Sequence, residues 1–168
     1  MRRRCLHRTH YGFTLTELMI ATAILGILGA VAAPNLKKWS RGYYLKSAST
    51  NLYSHMQMAK VGAIKDNQPW TIRFNPGTLV GYQVRNGAGQ VVRTVSLPTD
   101  YRNAIGYGNP QSSSTLFDNA TLTFNPNGLS TTGFAYLTAQ DSTSYYRVGM
   151  PLANGIVKVQ IWTNGQWK

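Results

Sequence analysis

The chain is short of acid, cysteine and histidine, and each shortage excludes a class of function. Only 5 of its 168 residues are Asp or Glu, against 17 Lys or Arg, giving a formal net charge of +12. The carboxylates Glu17, Asp66, Asp100, Asp118 and Asp141 are widely separated in sequence, so no paired acid–base motif is present. The single cysteine, Cys5, rules out an intramolecular disulfide. Beyond residue 10 there is one histidine, His55, without a partner at metal-ligand spacing. No phosphate-cradling glycine loop and no nucleophile motif occurs. The sequence therefore predicts neither an enzyme nor a metal or cofactor protein. Its surplus of cations favours polyanionic neighbours such as nucleic acid, acidic lipid or acidic glycans.

What is present is unevenly placed. Arg2, Arg3, Arg4 and Arg8 precede the first apolar stretch, and removal of residues 1–12 would leave a charge of +8. From Leu18 to Ala33 the chain reads LMIATAILGILGAVAA. With Phe13 to Glu17 the run reaches about 20 residues, enough to span a bilayer as a helix. An ordinary secretory signal would end in a small-residue cleavage site, which Ala30, Ala32 and Ala33 could imitate. Beyond Pro34 the pattern stays helical but becomes amphipathic: Leu45, Ala48, Leu52, Met56, Ala59 and Ala63 recur at three- and four-residue steps. Lys46, Asn51, His55, Lys60 and Lys65 fall on other faces. Pro34 removes one backbone donor and predicts a kink, and the helix should stop near Asp66–Pro69.

Strands follow, separated by turn chemistry. Trp70–Phe74, Leu79–Arg85 and Gln90–Leu97 are divided by Asn75-Pro76-Gly77 and by Asn86–Gly89. Residues 98–118, with Gly106, Gly108, Pro110 and three serines, predict a long surface loop. Ala120–Phe124, Gly133–Thr138, Tyr145–Met150 and Ile156–Trp162 complete the set. The fold class is α+β: a long kinked N-terminal helix whose second half packs on an antiparallel β-sheet head.

The junction His10-Tyr11-Gly12-Phe13-Thr14-Leu15-Thr16-Glu17 resembles the prepilin cleavage and methylation signature, a Gly-Phe pair with Glu fifth in the mature chain. Pro34 falls at mature position twenty-two, where pilins of this type also carry a helix-bending proline. The resemblance implies a leader over 1–12 and cleavage after Gly12, by a prepilin peptidase at the cytoplasmic face. Glycine suits an extended backbone entering a tight cleft, and the four arginines hold that end inside. Phe13 then becomes an N-methylated, cationic terminus. Residues 13–36 would form the transmembrane and assembly half of the helix, 37–67 its amphipathic half and 68–168 the head. A carboxylate fully immersed at the membrane centre costs about 2.5–3.5 kcal/mol, so Glu17 should have a partner. The resemblance supplies one in the amine of Phe13 on a neighbouring subunit; solvation of Glu17 by headgroups is the alternative. Gly26 and Gly29 would also permit close helix approach.

The head carries a looser resemblance, to the GspH/FimT family of minor pilins and type II secretion pseudopilins. It rests on Leu45-Lys46-Ser47-Ala48, Met58-Ala59-Lys60, Ala63–Gln68, Thr121–Gly128 and Gly155-Ile156-Val157-Lys158-Val159. The family fold has two sheets against the helix. Its implied partners are other pilin or pseudopilin subunits and the bacterial inner membrane, with the head in the periplasm. After assembly the place would be a pilus or pseudopilus. Some members bind DNA in natural transformation through a C-terminal Gly-Arg-x-Arg stretch. Here Ile156 and Lys158 occupy the two arginine positions, removing one phosphate contact and reducing the other to a point charge. Arg147, Lys158 and Lys168, with Trp162 and Trp167, remain a candidate basic and aromatic surface for single strands. The bland alternative is a terminal strand of Ile156, Val157, Val159 and Ile161 with a solvated lysine.

Overall fold

A computed structural model of the chain describes residues 12–113, 120–141 and 144–168, apart from the side chains of residues 31–38. The leader predicted over residues 1–12 therefore lies outside the described residues except for Gly12. Two compact units are present, one ending at Lys38 and the other covering Trp39–Lys168.

Helix α1 runs Leu15–Asp66 and contributes to both. It opens on Thr14, whose hydroxyl oxygen accepts the Glu17 backbone N–H at 3.2 Å. Thr14 and Glu17 stand at the spacing of a capping box, and the carboxylate in the first turn complements the positive end of the helix dipole. The side chains from Phe13 to Ala30 are exposed throughout. Among the described residues no helix is long and apolar enough to cross a membrane. The apolar run read from the sequence continues through residues 31–33, whose side chains are not described, and Pro34, the predicted kink, lies in the same stretch.

From Trp39 onward α1 is amphipathic, and all six residues predicted for its inner stripe are buried: Leu45, Ala48, Leu52, Met56, Ala59 and Ala63. Fully burying one large aliphatic side chain stabilises by about 1.5–3 kcal/mol before conformational entropy is counted. That stripe is therefore what holds the helix to the head. The helix stops as expected. Asn67 takes the left-handed conformation (φ 50°), and the Gln68 N–H reaches the Ala63 carbonyl at 3.2 Å, with Pro69 next. Trp70 folds back so that its indole N–H donates to Asp66 at 2.9 Å. Gly62 makes room for it, since a Cβ there would overlap the indole ring.

Two antiparallel sheets supply the rest of the core. The first contains β1 (Trp70–Phe74), β2 (Gly81–Arg85), β3 (Val91–Ser96) and β5 (Thr121–Phe124), in the order β3-β2-β1-β5. The second contains β4 (Ile105–Tyr107), β6 (Gly133–Ala139), β7 (Tyr145–Met150), β8 (Lys158–Thr163) and β9 (Gln166–Trp167), in the order β4-β6-β7-β8-β9. Alternation puts Ile72, Phe74, Val84, Leu122 and Phe124 of the first sheet into one cluster with Ala135, Leu137, Val148 and Met150 of the second. The Tyr107 hydroxyl donates to the Gly81 carbonyl at 2.9 Å and ties the two sheets together. The head is thus the α+β arrangement expected, a helix packed on two antiparallel sheets.

The expected long loop over residues 98–118 needs correction. It holds a single helical turn, α2 (Leu97–Asp100), and strand β4, which pairs with β6 through Ile105↔Ala139 and Tyr107↔Leu137. Tyr101, Ala104 and Ile105 are buried. Gly106 and Gly108 look like breakers in sequence, yet Gly108 allows close approach to Thr138, which a Cβ would crowd. Residues 114–119 lie outside the description. The last long strand begins at Lys158 rather than Ile156, and β9 was not foreseen.

One titratable group sits where helix and sheet meet. His55 is half-buried on α1, with Nδ1 2.8 Å from the Tyr82 hydroxyl and the rings edge to face. Burial, then the Arg93 charge, holds its pKa below the ordinary 6.5. As pH falls through 6.5 the unfolded histidine takes up a proton before the folded one, so stability declines below that point and is insensitive to His55 above it. Urea midpoints at neutral pH and near pH 5 should therefore differ more for the parent than for His55→Gln. Equal pH dependence in the two would remove His55 as the cause.

Candidate functional site

Two regions hold the residues singled out by sequence. At the helix start, Gly12 is exposed with nothing near its Cα that a side chain would meet, and Phe13 is 83% exposed. Glu17 is exposed one turn on, its backbone already engaged by Thr14. Gly12 and Phe13 thus stand exposed, outside regular secondary structure, just before α1.

The second region is the outer face of the five-stranded sheet. Residues whose neighbours point into the core must themselves point out, which puts Phe134, Tyr136 and Arg147 on one surface, and pairing of β7 with β8 brings Gln160 and Trp162 to the same side. Register brings Tyr136 beside Arg147 and Arg147 beside Gln160. The Arg147 guanidinium carbon lies 4.3 Å from the Phe134 ring centre and 4.7 Å from that of Trp167. Its Nε donates to Gln160 Oε1 at 2.9 Å. Trp167 also meets Tyr136 at 5.6 Å and Trp162 at 5.1 Å, and its indole N–H donates to Gln111 at 3.0 Å. Each cation–π contact is worth about 0.5–2 kcal/mol, depending on desolvation. The result is a cation clamped between rings. Among the described residues the one ion pair is Arg41–Asp141, at 3.5 Å. A clamped guanidinium gives up little freedom on binding an oxyanion and suits bidentate contact with phosphate or carboxylate.

Lys158 joins this face. It is the cross-strand neighbour of Gly149, which in turn pairs with Phe134, so a bare glycine separates lysine from ring. A side chain at Gly149 would strike the Gly133 carbonyl. Lys168 does not join it. Its backbone pairs with Ile161, whose side chain belongs to the opposite face, so two of the three predicted cations share a surface and the third lies across the sheet. The strand alternative is partly realised as well: Val157 is buried, while Ile156, Val159 and Ile161 are exposed. Phe134, Tyr136, Gln160 and Gln111 were missed in sequence. The first two were legible from β6 alternation, whereas the glutamines needed the register and the loop path.

A family model described as prokaryotic N-terminal methylation motif matches residues 7–33. Another, described as type II transport protein GspH, matches residues 48–150, well over half of the chain. The chain belongs to the GspH family. It is a pilin-like structural subunit rather than an enzyme, and its N-terminus carries the prepilin methylation motif. The type IV major pilin protein PilA of Myxococcus xanthus (strain DK1622) is 36% identical over 96 residues, covering 52% of this chain and 43% of that relative. The chain thus spans less than half the length of the curated relative it matches. No solved structure matches the chain significantly. The GspH match takes in β1 through β7 but stops before Lys158 and the two C-terminal tryptophans, so half of the aromatic cluster lies outside it.

Removing the Trp167 ring should unclamp Arg147 and release the end of β8. Trp167→Ala is expected to lower unfolding stability by about 1–3 kcal/mol, less than the full sum of its two aromatic contacts and one cation–π contact because the ring is only partly buried. An unchanged urea midpoint would mean the clamp contributes nothing to the head.

Proposed function

We propose that this GspH-family chain is a minor pilin that is incorporated into, or primes assembly of, a type IV pilus. Processing would cut between Gly12 and Phe13 and methylate the new terminus. The retained apolar half of α1 would hold the subunit in the inner membrane, head in the periplasm, until it enters the fibre. The observation that carries this reading is the contrast within one helix. Its start, Phe13–Ala30, follows the prepilin motif and leaves every side chain exposed, whereas its later half is sealed into a head. A helix that is apolar all round requires an apolar environment, either lipid or the packed helices of a fibre. The likeness to a type IV pilin favours the pilus. The family description favours a minor pseudopilin of a type II secretion machine, which would use the same chemistry.

In the fibre, Glu17 would pair with the methylated amine of Phe13 on a neighbouring subunit, and Pro34 would bend the helix as subunits pack. Glu17→Ala should leave the membrane level of the processed protein unchanged and reduce its recovery in sheared fibres at least tenfold, a loss of about 1.4 kcal/mol or more. Normal recovery would remove the pairing. A bulky residue at Gly12 should leave the precursor uncut in the membrane.

A second reading is a pilus-displayed subunit that takes up DNA. Its support is Arg147 and Lys158 on one face with Trp162 and Trp167; the separate position of Lys168 narrows that face. Under this reading, binding of single-stranded DNA by the purified protein weakens steeply with salt and is lost in Arg147→Ala with Lys158→Ala. Affinity that is flat with salt, or kept by the double variant, would end it.

A further inference from the structure

The start of the head's helix is built for a different neighbour from the core that follows. Trp39 is 73% and Tyr43 63% exposed, with their rings stacked at 6.3 Å, and Tyr43 meets Tyr44 edge on at 6.3 Å. Tyr44 packs on the core, but Trp39 and Tyr43 do not. One turn further lies a shallow groove of about 300 Å³ lined by Tyr43, Lys46, Ser47, Thr50 and Asn51. From Asn35 to Lys65 the chain carries Lys37, Lys38, Arg41, Lys46, Lys60 and Lys65 and no acid at all.

We infer that Trp39–Asn51 is a membrane-interface collar whose groove takes the phosphate-bearing headgroup of an anionic phospholipid before the subunit is assembled. This rests on the membrane-anchored reading above. The spacing along α1 fits. Trp39 follows Glu17 by twenty-two residues and Tyr43 by twenty-six. At 1.5 Å per residue these are helical contours of about 33 and 39 Å. A hydrocarbon core of about 30 Å with a headgroup layer of about 5–7 Å beyond it covers the same interval. With the Glu17 carboxylate at the inner boundary, the aromatic pair reaches the outer one, where Trp and Tyr are enriched because one end of each ring system is apolar and the other wet. Lys46 is exposed beside the groove and has no ion pair among the described residues. Its stem can lie along Tyr43 while the ammonium meets phosphate, and the hydroxyls of Tyr43 and Ser47 add donors.

Charge decides between lipid and a second copy of the chain. Arg41 is already paired with Asp141, and the remaining charges along this stretch of helix are all lysines, so another copy would set like charges against each other. An anionic bilayer surface attracts each lysine by about 1 kcal/mol, roughly a fivefold factor in affinity.

The test uses the full chain in phosphatidylcholine vesicles with and without phosphatidylglycerol, each lipid also supplied in brominated form. Flotation with the vesicles reads the anchor. The emission lost in Trp39→Phe reads the collar and separates Trp39 from the other tryptophans. The expected result is flotation in both lipids, with Trp39 quenched more by brominated phosphatidylglycerol than by brominated phosphatidylcholine. Lys46→Gln should reduce that preference roughly fivefold with flotation unchanged. A chain that floats while its Trp39 emission is untouched by either lipid overturns the collar alone. Equal quenching by both lipids, unaffected by Lys46→Gln, overturns the anionic headgroup. Failure to float would overturn collar and anchor together.

Discussion

The head depends on one seam, the stripe from Leu45 to Ala63 that α1 buries against both sheets. Without it the apolar inner faces of both sheets would lose their cover, because the strands turn Ile72, Leu122, Leu137 and Val148 toward the same cluster. The stripe alternates small residues, Ala48, Ala59 and Ala63, with the larger Leu45, Leu52 and Met56, and all six are buried. Polar contacts then fix the helix in place: Asn51 donates to the Tyr101 hydroxyl at 2.8 Å and Lys60 to the Gly155 carbonyl at 3.0 Å. Hydrophobic burial supplies most of the free energy, and these bonds select one rotation of the helix about its axis.

The same helix has opposite surface requirements at its two ends, as the proposed role of an assembled subunit would demand. Before Trp39 the sequence never acquires a polar face, so no packing against a single head could satisfy it. After Leu45 the polar face returns, with Lys46, Thr50 and Asn51 exposed. The change takes place over about three turns rich in lysine, arginine and aromatic rings. Under the proposed function such a graded helix is required, because one continuous element would serve lipid, neighbouring helices and its own core.

How much of this could be read in advance follows from the range of each interaction. The inner stripe of α1, its end near Asn67 and the placement of most strands came from periodicity and turn residues, both local signals. The prepilin junction was legible because its chemistry occupies a few adjacent positions. Strand β4 was hidden, since Gly106 and Gly108 signal a loop until register pairs Gly106 with Thr138 and Gly108 packs on the Thr138 side chain. The capping role of Thr14 was overlooked although Thr14 and Glu17 stand at the right spacing. The cage around Arg147 was beyond sequence reading: it joins β6, β7, β8 and a two-residue final strand, and only register decides that Lys158 shares its face and Lys168 does not.

The strand orders carry a consequence for how the chain comes into being. β5, made after β4, returns to the edge of the first sheet beside β1, and the second sheet closes with β9, one residue from the end of the sequence given. The first layer is therefore incomplete until β5 exists, and the contacts that complete it span a long stretch of chain. Topologies rich in such non-local pairing fold more slowly than helical bundles do. The inner stripe of α1 is therefore made well before the strands that cover it.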